Sequence, residues 1–301
     1  MEKVIVLLST YNGEKYLAEQ INSLLKQEGV SVEIIVRDDG STDSTCDMLN
    51  RWQSQGVIKW YSGGNAGAAG SFMELLYNSP DAEYYAFCDQ DDIWFPDKLI
   101  RGISAIKEKK TNNVPVLYFS AQTLIDEESN IIGHSIPKRL FTFGESLLRN
   151  PAAGCTMIFN KATRDLIIKN PPRYVYMHDM WLYMSCQAVN GTIIFDPKPS
   201  MLYRQHGNNV VGCKQSLYQK AKRRFKMFLD GKDSIRLKTC EELLHCFSSK
   251  MPERHVYILK NILSYRKSLI AKFRVLFFPE LKTTSPIAKL ALAISLLMNR
   301  Y

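Results

Sequence analysis

"YYAFCDQDDIWFPDKL", Tyr84 to Leu99, joins a short apolar run to three carboxylates within four residues. The run "YYAFC" reads as a strand, and Pro96 opens a Lys-rich helix that ends near Lys110. Asp89, Asp91 and Asp92 stand at the junction. Like charges at this spacing cost free energy unless a cation resolves them. Side chains alternate along an extended segment, so Asp89 and Asp91 share one side and Asp92 serves the turn into the helix. The expectation is a buried strand that ends on a two-carboxylate site.

The same pattern recurs on the N-terminal side. Lys3 to Ser9 and Val32 to Val36 are apolar, β-branched runs that read as strands buried on both faces. Tyr16 to Gln27 carries Leu17, Ile21, Leu24 and Leu25 at helical spacing. Asp43 or Ser44 can cap a helix running to about Trp52. Val57 to Ser62 is a short strand, and "GGNAGAAGS" leads into a helix from about Ser71 to Tyr77. Four β-α units at short spacing predict a parallel α/β sheet with helices on both faces. Ligands of such sheets bind outside the carboxyl ends of the strands. "STYNG", "RDDGS", "GGNAG" and "CDQDD" all fall there. After Val116 the pattern changes to extended segments around "DEESN", a loop from Pro137 to Pro151, a strand from Gly154 to Lys161, a helix from His178 to Val189, and two further strands.

The 301 residues, 46% hydrophobic and 23% charged, suffice for one large core and an appendage. No run reaches the roughly 18 apolar residues that span a bilayer. The apolar run in "MEKVIVLLSTYNG" is short for a signal peptide, so residence in the cytosol is expected. Seven scattered cysteines without a C-x-x-C pair read as small apolar residues. The net charge of +9 is uneven. Gln215–Tyr301 holds 18 basic and 6 acidic residues, a balance of +12 that leaves −3 for the first 214. A separate basic module facing an anionic partner is expected.

A nucleotide offers a flat base, a ribose diol and phosphates. Tyr11 can stack on a base, Asp39 can accept from a base N–H or a hydroxyl, and Gly63, Gly64 and Gly67 let backbone approach closely. Neither G-x-x-x-x-G-K-[ST] nor a G-x-G-x-x-G after the first strand is present, so phosphate charge falls to a divalent ion held at "DQD". Asp43, Asp92 and Asp97 read as turn formers and caps. In the second half Asp179 stands at a helix N-terminus, where it either caps the helix or serves as general base. His178 competes for the base role on intrinsic pKa grounds. Arg204 and His206 in "YRQHGNNVVG" suit a pyrophosphate or its metal.

Taken together, "STYNGEKYLAEQINSLLKQ", "IIVRDDGSTDST", "NAGAAGSF", "CDQDDIWFPDKL", "GCTMIFNK", "MHDMW" and "YRQHGNNVVG" resemble the inverting nucleotide-sugar glycosyltransferases of glycosyltransferase family 2. The motifs cover Met1 to Gly212 in the family's order. The resemblance implies a GT-A fold, a Rossmann-like mixed α/β sheet with flanking helices. Residues 1–214 would be the catalytic domain, with 1–115 its nucleotide-sugar half and 116–214 its acceptor half, and residues 215–301 a basic helical region. It assigns Thr10, Tyr11, Asn12, Asp39, Gly67, Asp89 and Arg204 to the nucleotide sugar. It makes Asp91 the direct ligand of Mg²⁺ or Mn²⁺, with Asp89 and His206 beside it, and Asp179 the catalytic base. The wording is similar to bacterial rhamnosyltransferases and O-antigen transferases, which implies dTDP-L-rhamnose, with UDP-galactose and UDP-glucose open. A nucleotidyltransferase would need a glycine-rich, Lys- or Arg-bearing loop where "STYNGEKY" stands, and Asp39, Asp91 and Asp179 together disfavour a non-catalytic binding protein.

The resemblance weakens after Ser216. "SLYQKAKRRFKMFLD", Ser216 to Asp230, is a basic amphipathic helix suited to an anionic membrane surface. "RVLFFPEL" and "PIAKLALAISLLMNR" add apolar surface. The competing reading is a helical subdomain packed on the core or on a second copy of the chain, a homodimer. The tail lacks a recognisable nucleic-acid motif, so nucleic acid is not the expected partner. A membrane location, on the inner face of a bacterial cytoplasmic membrane, would suit a glycan or polyprenyl-diphosphate-linked acceptor.

Overall fold

In β1 (Glu2–Thr10) the alternating side chains Val4, Val6 and Leu8 enter one hydrophobic cluster and Ile5 and Leu7 another. A strand buried on both faces needs a helical layer on each side. The computed structural model describes residues 1–109, 113–137, 139–206, 234–283 and 286–301. Within it β1 pairs in parallel with β2 (Val30–Asp38) and β4 (Tyr84–Cys88), and β2 with β3 (Lys59–Ser62). Helices α1 (Leu17–Leu25), α2 (Thr45–Ser54) and α4 (Lys98–Glu108) cover one face, and α3 (Gly67–Tyr77) the other. Registry sets Thr10 opposite Asp38, Asp38 opposite Ser62 and Cys88 opposite Leu8, so the strand ends share one rim.

The second half makes the sheet mixed. β6 (Val116–Ser120) and β10 (Thr192–Asp196) are parallel to each other, while β9 (Ile158–Asn160) runs antiparallel between β4 and β6. The seven-stranded order is β10-β6-β9-β4-β1-β2-β3. A four-stranded sheet joins β5 (Ile93–Trp94), β11 (Met201–Arg204), β7 (Gln122–Ile125) and β8 (Ile131–Ser135) in that order. It brings the chain after Arg204 to the end of β4. The expected loop from Pro137 to Pro151 contains α5 (Phe143–Ser146), whose start is a capping box: Glu145 N donates to Thr142 Oγ1 and Thr142 N to Glu145 Oε2 at 3.0 Å. α6 (Lys161–Ile168) and α7 (His178–Ala188) pack on the same end of the large sheet, against β6, β9 and β10.

Among the described residues four helices follow: α8 (Ser234–Phe247), α9 (Glu253–Leu263), α10 (Leu269–Leu276) and α11 (Pro286–Leu297). Cys240, Leu243, Phe247 and Ile258 share one hydrophobic cluster with Trp181 and Phe143. The Trp181 and Phe247 rings lie 5.8 Å apart, and Phe143 stacks on His255 at 4.2 Å. α8 and α9 therefore pack on α7 and α5. The amphipathic segment Ser216 to Asp230, Asn208 and Asn209, and the boundary at residue 214 lie outside the described residues. No helix among the described residues is long and apolar enough to cross a membrane.

Candidate active site

The loops at the strand ends are tied to one another before any ligand is considered. Asn12 takes a left-handed conformation, φ 48°, and its side-chain oxygen accepts from Thr42 N at 2.8 Å. Asn12 N donates to Ser41 Oγ at 2.8 Å, and Gly13 N to Thr45 Oγ1 at 2.8 Å. Asp38 holds its own turn by accepting from Gly40 N and Ser41 N. Asp39 is buried, and its two oxygens accept from Ala66 N at 2.8 Å, Gly67 N at 2.9 Å and Arg37 Nη1 at 2.5 Å. Arg37 in turn donates to Glu74 and to the Gly64 carbonyl. Asp39 thus fixes the glycine loop and its φ +69° residue, Gly67, with one edge still bordering the cavity.

Gln90, between the two carboxylates and just past the end of β4, also borders the cavity but spends its side chain on β1. Its Oε1 accepts from Thr10 Oγ1 at 2.6 Å and Tyr11 N at 2.9 Å, and its Nε2 donates to Tyr11 O at 3.1 Å. This joins the end of β1 to the end of β4. The fit is tight, since a Cβ on Gly13 would lie 2.4 Å from Gln90 Oε1 and 2.6 Å from Thr10 Oγ1.

Asp91 Oδ2 meets His206 Nε2 at 2.6 Å, and the His206 ring stacks on Tyr16 at 5.4 Å. Asp89 is half-buried, and burial with the neighbouring Asp91 pushes its carboxyl up to about 7. Asp92 serves a different end from the expected turn. It is fully buried, it accepts from Arg204 N at 3.1 Å, and burial pushes it well above the usual carboxylate range. Below it lies Lys98, also fully buried, whose Nζ donates to Cys155 O at 2.5 Å and sits 3.9 Å from the Trp94 ring. Burial brings Lys98 down to about 8, while Asp92 and Asp89 act against that shift. The charge of the acidic cluster is thus partly met from beneath.

A single cavity of about 1260 Å³ runs along this rim. It gathers Tyr11, Asn12, Asp39, Gly67, Asp89, Asp91, Asp179 and His206. Thr10 and Arg204, expected to touch the nucleotide sugar, lie under its floor. Thr10 is buried and spends its hydroxyl on Gln90. Arg204 is 1% exposed and donates to the carbonyls of Asp91 and Glu127, to Ser129 Oγ and to Glu19. An arginine so placed locks the acidic turn to the second sheet. Lys15, held by Glu127 at 2.8 Å, lines the cavity and supplies a cation that the sequence reading passed over.

Asp179 opens the first turn of α7 without capping it from the N-cap position, which Met177 occupies. Its Oδ1 accepts from Met180 N at 2.6 Å, and burial raises its carboxyl to about 6. His178 is sealed between aromatic rings, stacked on Phe72 at 3.9 Å and edge-on to Phe87 at 5.0 Å. Burial pushes it down to about 3, so it stays neutral. Of the two candidates for a base near pH 7, Asp179 has the matched pKa.

Asp91 and His206 offer a carboxylate and an imidazole 2.6 Å apart, donors of a kind that suits Mg²⁺ or Mn²⁺. Among the described residues the three ligand groups that draw together are Asp89, Asp92 and the Cys155 thiol.

Residues 5–168 match the model of the glycosyl transferase family 2. The chain belongs to that family. It is a glycosyltransferase with the GT-A fold. It is 32% identical over 232 residues to the dTDP-rhamnosyl transferase RfbG of Shigella flexneri, covering 72% of this chain and 77% of that one. It is 28% identical over 187 residues to an Escherichia coli UDP-Glc:alpha-D-GlcNAc-diphosphoundecaprenol beta-1,3-glucosyltransferase, WfgD, covering 60% and 68%. Among solved structures, TarS 1-349 of S. aureus in complex with UDP-GlcNAc superposes with a TM-score of 0.61 at 17% identity, over 98% of this glycosyltransferase and 81% of that chain. That likeness extends the shared fold through the C-terminal helices.

Proposed function

We propose that this glycosyltransferase moves a sugar, with inversion, from a nucleotide sugar to an acceptor hydroxyl in bacterial surface-polysaccharide assembly. The observation that carries the reading is one cavity lined by Asp89, by Asp91 and by Asp179, a carboxylate raised to about 6. In the proposed reaction the acceptor oxygen attacks the anomeric carbon while its proton passes to Asp179. The bond from that carbon to the pyrophosphate oxygen breaks, and its electron pair leaves with the nucleoside diphosphate. Tyr11 stacks on the base, Asp39 holds the loop against the nucleoside, and Asp89 faces the ribose and donor sugar. Asp91 and His206 would hold Mg²⁺ or Mn²⁺, which when bound offsets charge on the leaving diphosphate.

The donor we favour is dTDP-L-rhamnose, on the motif wording and on the likeness to RfbG. UDP-glucose is the second choice, as the donor in the WfgD name, which also supports a polyprenyl-diphosphate-linked acceptor. Such an acceptor places the enzyme peripherally on the cytoplasmic face of the membrane, held through residues 216–301. Nucleoside diphosphate release from a panel of nucleotide sugars, with and without Mn²⁺, tests the function. Release from dTDP-L-rhamnose in an acceptor- and metal-dependent manner is expected. A panel that yields no release with lipid extract as acceptor source would overturn it.

A further inference from the structure

α10 and α11 bury one side and leave the other bare. Val275 and Phe278 enter the core from the first, and Leu292 and Leu296 from the second. The opposite stripe of α10 carries Leu269, Ile270 and Phe273, exposed at 62%, 74% and 48%, and continues to Phe277 at 63%. On α11, Leu290 and Ile294 are exposed one turn apart, at 62% and 43%. Lys289 Nζ lies 5.2 Å over the Phe277 ring, and Lys272 Nζ donates to Leu297 O at 2.9 Å, so the two stripes adjoin. Apolar side chains gathered in one patch of this kind mark a surface that is covered in use.

The charge around the patch has one sign. From Ser264 to Tyr301 there are seven Lys and Arg and one acid, Glu280. Glu280 is engaged by Arg254 at 2.6 Å. Arg266, Lys267, Arg274 and Lys289 are all exposed beside the apolar stripes. Aliphatic and aromatic side chains rimmed by cations match the headgroup boundary of an anionic bilayer. α11, at 12 residues, is too short to span one. The same patch is wired to the cavity. The turn after α10 packs on α5, where a Cβ on Gly144 would meet Glu280 O at 2.5 Å, and the segment after α5 supplies Asn150 to Gly154 of the cavity wall.

We infer that the paired face of α10 and α11 docks on an anionic phospholipid surface, with Phe273, Phe277, Leu290 and Ile294 inserted among the headgroups. This deepens the membrane-linked acceptor reading by naming the surface, and it orients the acceptor side of the cavity toward the bilayer.

Flotation of the full chain with vesicles of phosphatidylglycerol and phosphatidylcholine, against phosphatidylcholine alone, tests it. The parent floats with the anionic vesicles and stays in the load with neutral ones. The pairs Phe273→Glu with Phe277→Glu, and Leu290→Glu with Ile294→Glu, each cut the floated fraction about tenfold while the unfolding midpoint stays near the parent's. Lys267→Ala with Arg274→Ala, which leaves the apolar stripes intact, weakens flotation and steepens its loss in salt. Flotation of both Glu pairs at the parent's level overturns the inference. So does a parent dimer in sedimentation that becomes monomeric in the Glu pairs, which would show a second copy on the face. Donor turnover is measured separately, so loss of one reading is distinguishable from loss of the other.

Discussion

Asp39 and Asp179 border the same cavity, and their surroundings treat them oppositely. Asp39 accepts three hydrogen bonds, from Arg37, Ala66 and Gly67, and belongs to a lattice in which each loop end is tied to the next. Asp179 accepts from Met180 N, and burial outweighs that bond and the Gly154 backbone to raise it to about 6. The first carboxylate is spent on building a rigid shape. The second keeps its proton affinity, which a base requires. In the proposed reaction the nucleotide-sugar side would work by preorganisation and the acceptor side through a carboxylate whose burial keeps its proton affinity high.

The largest way to break the donor side is Asp91→Asn. It removes the charge that meets His206 and faces the cavity, and we expect loss of both turnover and Mn²⁺-dependent donor binding, read by calorimetry. Retained metal-dependent binding would move the ion elsewhere. A smaller break is Gly13→Ala, whose Cβ displaces Gln90 and uncouples β1 from β4. Losing those hydrogen bonds costs about 1–3 kcal/mol, so donor affinity falls by roughly tenfold to a hundredfold and the melting temperature drops. An unchanged KM for donor would show that the tie is not needed. The acceptor side is sharpened by pH. A base raised to about 6 is deprotonated and active above that value and protonated below it. At saturating metal, kcat/KM falls about tenfold per pH unit on the acid side of 6. A profile flat to pH 5 would reject the assignment.

Much of this was legible from pattern. Strand runs such as Lys3 to Ser9 and the recurring polar ends predicted the sheet and its rim, because burial on both faces writes a continuous apolar run. The antiparallel β9 was not legible, since three residues of strand carry no direction. α5 reads as loop in the sequence, because its four residues lack a periodic stripe, although Thr142 and Glu145 stand at capping-box spacing. Gln90 was not legible, because nothing in the pattern shows that its amide spans to Thr10 and Tyr11. Lys98 shares a helical face with Gly102 and Ile106, a signal that it enters the core. Arg204 misled for a physical reason. Arginine suits phosphate and carbonyl oxygens equally well, and only the fold shows that carbonyls took it.

The comparison rests on Asp179, and Asp179→Asn tests it most directly when donor affinity and turnover are measured on one preparation. The account predicts that the nucleotide sugar with Mn²⁺ binds within about twofold of the parent, while nucleoside diphosphate release falls by about 10²–10⁴. Turnover near the parent's level with donor binding intact would contradict it.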